Sequence, residues 1–184
     1  MTINTNSSPA RKGQALISIT ATLTMLLGAM GLVIDIGYGR YNMQRAQAAA
    51  EAAAMAGVEA AQAYGTTSCG SSVVCQASTA CPSSINAASI TNNVQSACLY
   101  GQANGFGSDS QHAMTIASGT GAPPTVSGVT TTYWVTATAS TSSNALFSYL
   151  MGDRATSSTA QATAGITQYV SSTGQTVNTA ALMQ

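Results

Sequence analysis

From Gly13 to Ile34 the chain carries no charged residue. At about 1.5 Å per helical residue, the apolar run Ala15–Ile34 spans roughly 30 Å, the thickness of a bilayer's hydrocarbon core. Residues Ile36 to Tyr64 continue without a proline, and alanine dominates from Ala46 to Ala63. Alanine is the best helix former. The pattern predicts one rod from about Gln14 to Tyr64, roughly 75 Å long, capped at its C-terminus by Gly65. Leu32, Ile36, Gly39, Met43, Ala46, Ala50, Ala53, Gly57, Ala60 and Tyr64 follow four-three spacing, while Arg40, Gln44, Gln47 and Glu51 occupy another face. Such a small-residue seam lets a second backbone approach closely, although alanine stands on every face here and other phases fit as well. Thr20, Thr24 and Gly28 form a small-xxx-small series of the same kind.

Beyond Gly65 the pattern changes. A loop rich in Ser, Thr and Gly leads to a second, shorter helix expected over Ile85–Ala103. Met114–Ser118 reads as a short strand, and Gly119–Pro124 as a turn or loop. Val129–Thr141, β-branched and aromatic, reads as a strong strand. Asn144–Leu150 reads as a helical turn and Ala155–Val170 as a return strand. The fold class expected is α+β: a long transmembrane and extended N-terminal helix, then a small disulfide-containing domain with a short helix and an antiparallel sheet. Three segments follow: a leader over 1–13, the long helix over 14–64 with its span at about 15–34, and a head over 65–184.

Charge sets the orientation. Arg11 and Lys12 flank the apolar run on its N-terminal side, so the positive-inside rule places the leader in the cytoplasm and the head outside. A cleaved secretory signal has a shorter apolar region followed by a small-residue cleavage site. Here the run is longer, Asp35 follows it, and the helical pattern continues past it. A buried core helix fits the length and the flanking cations less well. Asp35 stands where hydrocarbon would end. Either it marks the outer interface and sits in water, or it makes a polar contact that fixes register between neighbouring subunits. Arg40, five residues on, is poorly placed to pair with it within the helix, so that contact would come from another chain.

Four cysteines, Cys69, Cys75, Cys81 and Cys98, lie on the outer side. An even number there implies two disulfides in an oxidising compartment. Three connectivities are possible, and Cys69–Cys75 with Cys81–Cys98 is the one expected. The spacings lack the close Cys pairs of zinc sites, and no metal or cofactor is expected. Charged residues make up only 5% of the chain, five basic and five acidic, against about a quarter in ordinary soluble domains. Such a chain has no electrostatic footprint for nucleic acid. His112, the sole histidine, follows Asp109 in a Gly/Ser loop. The two could serve a Ser-His-Asp site, but they read as a solvated loop. No lysine-bearing phosphate loop or one-face carboxylate pair appears, so neither an enzyme nor a small-molecule substrate is expected.

Three stretches together resemble a known family: Arg11–Ser18 (RKGQALIS), Gly31–Tyr38 (GLVIDIGY) and Gln44–Gly57 (QRAQAAAEAAAMAG). They are similar to the N-terminal module of TadE/TadG-like proteins, components of the tight-adherence (Flp-type) pilus machinery. Tyr100–Phe106 resembles that family's Tyr…Asn-Gly helix end. Tyr133–Thr138, Ala145–Gly152 and Thr156–Ala162 follow in the order of its strand, hydrophobic turn and final strand. The resemblance implies a pilin-like, single-pass inner-membrane protein acting in pilus assembly or surface attachment. Its partners would be the membrane, the assembly machinery, and other pilin-like subunits or itself, met through the N-terminal helix. Thr20, Thr24, Gly28, Asp35, Gly39, Ala46, Ala50, Ala53 and Gly57 are the residues expected to make those contacts. The alternative is that the chain is itself the repeating subunit of an extracellular filament, with the apolar helix in its core. Prepilins cut by the pilin peptidase carry Glu five positions after the cleavage Gly. If Gly13 were that residue and Gln14 the new N-terminus, Ser18 would stand where Glu is usual. Larger members carry a metal-dependent adhesion loop, whose spacing Asp109 and its neighbours lack.

Overall fold

The structure is a computed structural model that describes residues 10–65, 68–143, 156–170 and 175–183. Helix α1 runs unbroken over Ala10–Ala63. Strand β1 (Gln76–Ala80) follows, then a single 3-10 turn at Ala87–Ser89 and helix α2 (Asn93–Ala103). The chain ends in β2 (His112–Gly121), β3 (Thr131–Ser143), β4 (Thr156–Val170) and β5 (Thr176–Met183). The five strands form one antiparallel meander in the order β1-β2-β3-β4-β5. The fold is therefore α+β, a long apolar helix followed by a small domain with a short helix, an antiparallel sheet and two disulfides.

Helix α1 ends as its sequence predicts. Gly65 takes a φ of +70°, the left-handed cap conformation that glycine adopts most readily, and its N–H donates to the Gln62 carbonyl at 3.0 Å. The second helix starts later than expected. Residues 85–92 are not α-helical, because two asparagines divert the backbone. The Asn86 side chain accepts from the Ala88 N–H, and Asn92 accepts from the Gln95 N–H as the N-cap of α2. Asparagine competes with helix in this way wherever its carboxamide can cap the following turn. Strands β1 and β5 have no counterpart in the sequence reading, and β2 extends beyond Met114–Ser118 at both ends. The expected helical turn at Asn144–Leu150 lies outside the described residues.

One face of the sheet carries Met114, Ile116, Tyr133, Val135, Ala137, Ala164 and Ile166, all fully buried. Onto it packs the upper half of α1, with α2 alongside. The buried apolar positions in the upper half of α1 are Ala46, Ala49, Ala50, Ala53, Ala54, Ala56, Gly57, Val58 and Ala61. These residues carry a methyl group or less, Val58 excepted, so the helix axis lies close to the sheet. Gly57 marks the tightest point, where an added Cβ would stand 3.0 Å from Val135 Cγ1 and 3.1 Å from Ala97 Cβ. Ala46, Ala50, Ala53 and Gly57 of the four-three series are buried, and their close neighbours are the chain's own sheet and second helix. Leu32, Ile36, Met43 and Tyr64 of the same series are exposed, because the head does not extend over them.

Methyl-sized contacts each contribute little. Full burial of a larger apolar side chain contributes about 1.5–3 kcal/mol, and here that falls to Phe106, Met114, Ile116, Ile166, Val58 and Val135. Covalent bonds supplement the thin core. Cys69 bonds Cys75 just after α1, and Cys81 bonds Cys98, tying the end of β1 to α2 within the core.

A buried polar node joins every layer. The Asn93 carboxamide accepts from the Val74 N–H at 2.9 Å and donates to Tyr133 Oη at 2.7 Å and to the Gly57 carbonyl at 3.3 Å. The Tyr133 hydroxyl in turn donates to the Val74 carbonyl, which also accepts from Ser118 Oγ. Both Asn93 and Tyr133 are wholly buried, where a satisfied network specifies one arrangement of its neighbours.

Two predictions follow from this packing. Gly57→Val drives two methyls into Val135 and Ala97, and we expect a loss of about 2 kcal/mol in urea unfolding of the detergent-solubilised protein. Burial pushes the Tyr133 phenol above its ordinary value near 10, outweighing the downward pulls of Ser118 and Asn93. The unfolded chain therefore ionises at this residue first. Its contribution is intact below about pH 10 and drains away as pH rises toward the folded value. Tyr133→Phe is expected to be less stable at pH 8 by about 1–2 kcal/mol and to lose less between pH 10 and 11. An equal loss in both proteins over that range would exclude Tyr133 as its source.

Candidate functional site

Below the head, α1 is bare. Leu16, Ile17, Ile19, Leu23, Met25, Leu26, Leu27, Met30, Leu32, Val33 and Ile34 are each more than half exposed. The helix contains a window with a mean hydropathy of 2.0, long and apolar enough to cross a membrane, and only 6% of that window is buried. A core helix of a soluble domain would be covered. This one presents apolar side chains around its whole circumference, which a water-facing helix does not sustain.

The polar residues of this segment satisfy themselves. Ser18, Thr20, Thr22 and Thr24 each donate their hydroxyl to the carbonyl four residues earlier, at 2.6–3.1 Å. That bond hides a hydroxyl from hydrocarbon without a second chain. Thr20 and Thr24 therefore present mainly their methyl groups. Gly28 and Gly39 have open space where a Cβ would stand, in contrast to Gly57. Gly13 and Gln14 lie inside the first turns of α1, and Gln14 accepts the Ser18 hydroxyl. Asp35 is half-buried and already engaged within the chain, so a second copy is not required to account for it.

Past Ile34 the exposed apolar surface continues through Ile36, Tyr38, Tyr41 and Met43. Two tyrosines a turn or two beyond the span match the amphipathic side chains of a membrane–water interface. The first residue of α1 buried by the head is Asn42, at 7% exposure.

The remaining candidate chemistry forms a turn. Asp109 Oδ1 accepts from the Gln111 N–H at 2.7 Å and from the His112 N–H at 2.5 Å, and Oδ2 faces His112 Nδ1 at 3.3 Å. The two backbone donors hold the Asp109 carboxyl below its usual value, and Phe106 meets the His112 ring edge-on, with centroids 5.3 Å apart. The carboxylate is thereby committed to shaping the entry to β2. No group of three or more metal-ligating side chains occurs among the described residues.

Sequence reasoning missed Asn42, Asn93 and Tyr133. Asn93 carried a signal, since a second asparagine directly after an N-cap has no capping task of its own. Asn42 carried one too, as an uncharged polar residue on the face that runs on to Ala46 and Ala49.

A charge at the middle of the bare segment tests the role of that surface. Leu23→Arg adds about 3 kcal/mol to the cost of burial at a bilayer centre. We expect the wild-type chain to stay with the membrane after alkaline carbonate extraction and the Leu23→Arg chain to be largely released. Glu59→Arg, exposed on the same helix at the level of the head, should behave as wild type.

Comparison with known proteins finds no matching family model and no similar curated protein or solved structure, so a functional reading rests on the chain's own residues.

Proposed function

We propose that this chain is a pilin-like, TadE/TadG-type component of a surface pilus system, anchored in the inner membrane through α1 and supporting pilus assembly and attachment. The observation that carries the reading is the single unbroken α1, bare and apolar in its lower half and sheathed by a disulfide-bonded head in its upper half. In this reading residues 1–13 stay in the cytoplasm, drawn by Arg11 and Lys12, and the head lies outside the membrane. Two disulfides suit an oxidising exterior, and a Ser/Thr-rich surface with few charges suits a wall-facing or surface-facing part.

A second reading, in which the chain is the repeating subunit of an extracellular filament, draws on a different observation. The face carrying Thr20, Thr24 and Gly28 is open to close approach by another helix. In a filament the apolar half of α1 would be buried among copies of itself instead of in lipid.

Deleting the gene and imaging the cells tests the first reading: loss of pili and of attachment is expected, while normal pili and normal attachment would overturn it. Mass spectrometry of sheared surface filaments separates the two, since a major signal from this chain favours the filament subunit and a trace signal the accessory component. N-terminal sequencing adds an independent measurement. A mature start at Gln14 favours pilin-type processing, and a start near Met1 favours the permanent anchor.

A further inference from the structure

At the foot of the head, α1 and the sheet enclose a polar cleft of about 270 Å³. Tyr38, Asn42 and Arg45 line it from one face of the helix, and Gln111, His112 and Ser142 from the strand ends. Every described residue in its lining is neutral or cationic. Asn42 is 93% buried, and its carboxamide has no hydrogen-bond partner among the described residues. Its polar atoms open to the cleft, since Trp134 Nε1 is the one buried side-chain polar atom left unpaired among the described residues, so solvent or a ligand can fill its bonds.

Arg45 stands beside it. Among the described residues it makes no ion pair. Its guanidinium lies 5.8 Å from the centroid of the Tyr41 ring and rests against Gly105, where a Cβ would come within 2.8 Å of Nη2. Tyr41 is one turn nearer the apolar segment, so the charge leans back along α1 toward Ile34, the direction in which helical side chains tilt. Asn42 sits about 12 Å and Arg45 about 16 Å along the axis beyond Ile34. The headgroup layer of one leaflet is on the order of 5–8 Å thick, and the Arg45 side chain, turned back along α1 toward Tyr41, bridges most of the rest.

We propose that this cleft binds a phosphate group, presented by an anionic phospholipid of the outer leaflet. Arg45 supplies the charge and paired N–H donors that phosphate oxygens match. The Asn42 amide, and the Gln111 amide and Ser142 hydroxyl across the cleft, supply neutral donors. The His112 ring forms the wall, with its Nδ1 turned to Asp109. Tyr38 lines the entrance on the side of the apolar segment, with Tyr41 next to it on α1. The assignment of a lipid source rests on the anchored reading of α1, while the phosphate chemistry of the cleft does not.

Native mass spectrometry of the full-length chain in a neutral detergent tests it, with phosphatidylglycerol, diacylglycerol and inorganic phosphate as the probes. One firmly retained phosphatidylglycerol is expected, with no retained diacylglycerol. Arg45→Gln should weaken retention by about tenfold and Arg45→Lys by less. Asn42→Leu should weaken it several-fold while leaving thermal stability near that of wild type, because the amide makes no hydrogen bond within the described protein and the replacement has similar size. A purely structural role for Asn42 would instead lower stability. Equal phosphatidylglycerol retention by wild type, Arg45→Gln and Asn42→Leu overturns the site. Binding of inorganic phosphate with phosphatidylglycerol ignored overturns the lipid assignment. Flotation of the same proteins with phosphatidylcholine vesicles reports the anchor separately. Failure to float there counts against the anchored reading, and Arg45-dependent flotation confined to vesicles containing phosphatidylglycerol supports the cleft.

Discussion

The fit of a methyl-studded helix against a sheet is the contact on which the rest of this molecule depends. Between Ala46 and Ala61 helix α1 offers almost no side-chain bulk to β3, β4 and α2, so backbones approach until Gly57 meets Val135 and Ala97. Dispersion falls off steeply with separation, and this closeness lets small residues hold a head on a rod. The Asn93 carboxamide then fixes the angle. It binds the Gly57 carbonyl, the Tyr133 hydroxyl and the Val74 amide together, so rotation of the head about the rod would break the Asn93–Gly57 bond in a place water does not reach, while the other two hold the carboxamide in position within the head. The Cys81–Cys98 bridge holds α2, and with it Asn93, against the end of β1.

One helix thus serves two surroundings. Its upper half is solvated by its own head, and its lower half, from Leu16 to Met43, by whatever lies outside the chain. The transition is graded. Large aliphatic side chains give way to tyrosines at 38 and 41, then to Asn42 and Arg45, then to alanine. That order runs from apolar to polar as a bilayer does from its core to its surface, and it gives the polar cleft at the foot of the head its position.

Much of this was legible in the residues. The rod, its glycine cap, the helix-then-sheet order and the strand around Tyr133 all follow from local pattern and propensity. The phase of the rod's contact face was harder, because alanine on every side satisfies any register, and only the shape of the head decides which face is covered. The start of α2 was misplaced because apolar spacing from Ile85 onward resembles a helix, while two asparagine caps impose another path. Strands β1 (QASTA) and β5 (TVNTAALM) are rich in Ala, Ser, Asn and Gln, residues with weak strand preference, and they are strands because a neighbouring edge pairs with them. The cleft had no local signature. Its members come from positions 38–45 and 111–143, and only folding brings them to one place.

The pairing of α1 with β4 also has a bearing on biosynthesis. The partners of Ala46–Ala61 include Ala162, Ala164 and Ile166, and Gln62 hydrogen-bonds the Asn178 carbonyl, 116 residues downstream. A ribosome delivers these segments long after the rod, so the upper rod must wait uncovered until the sheet is made. Leucines on that face would make the wait an invitation to aggregation or to capture by lipid. Alanine, barely hydrophobic and strongly helical, lets the nascent rod stand in water until its sheath arrives.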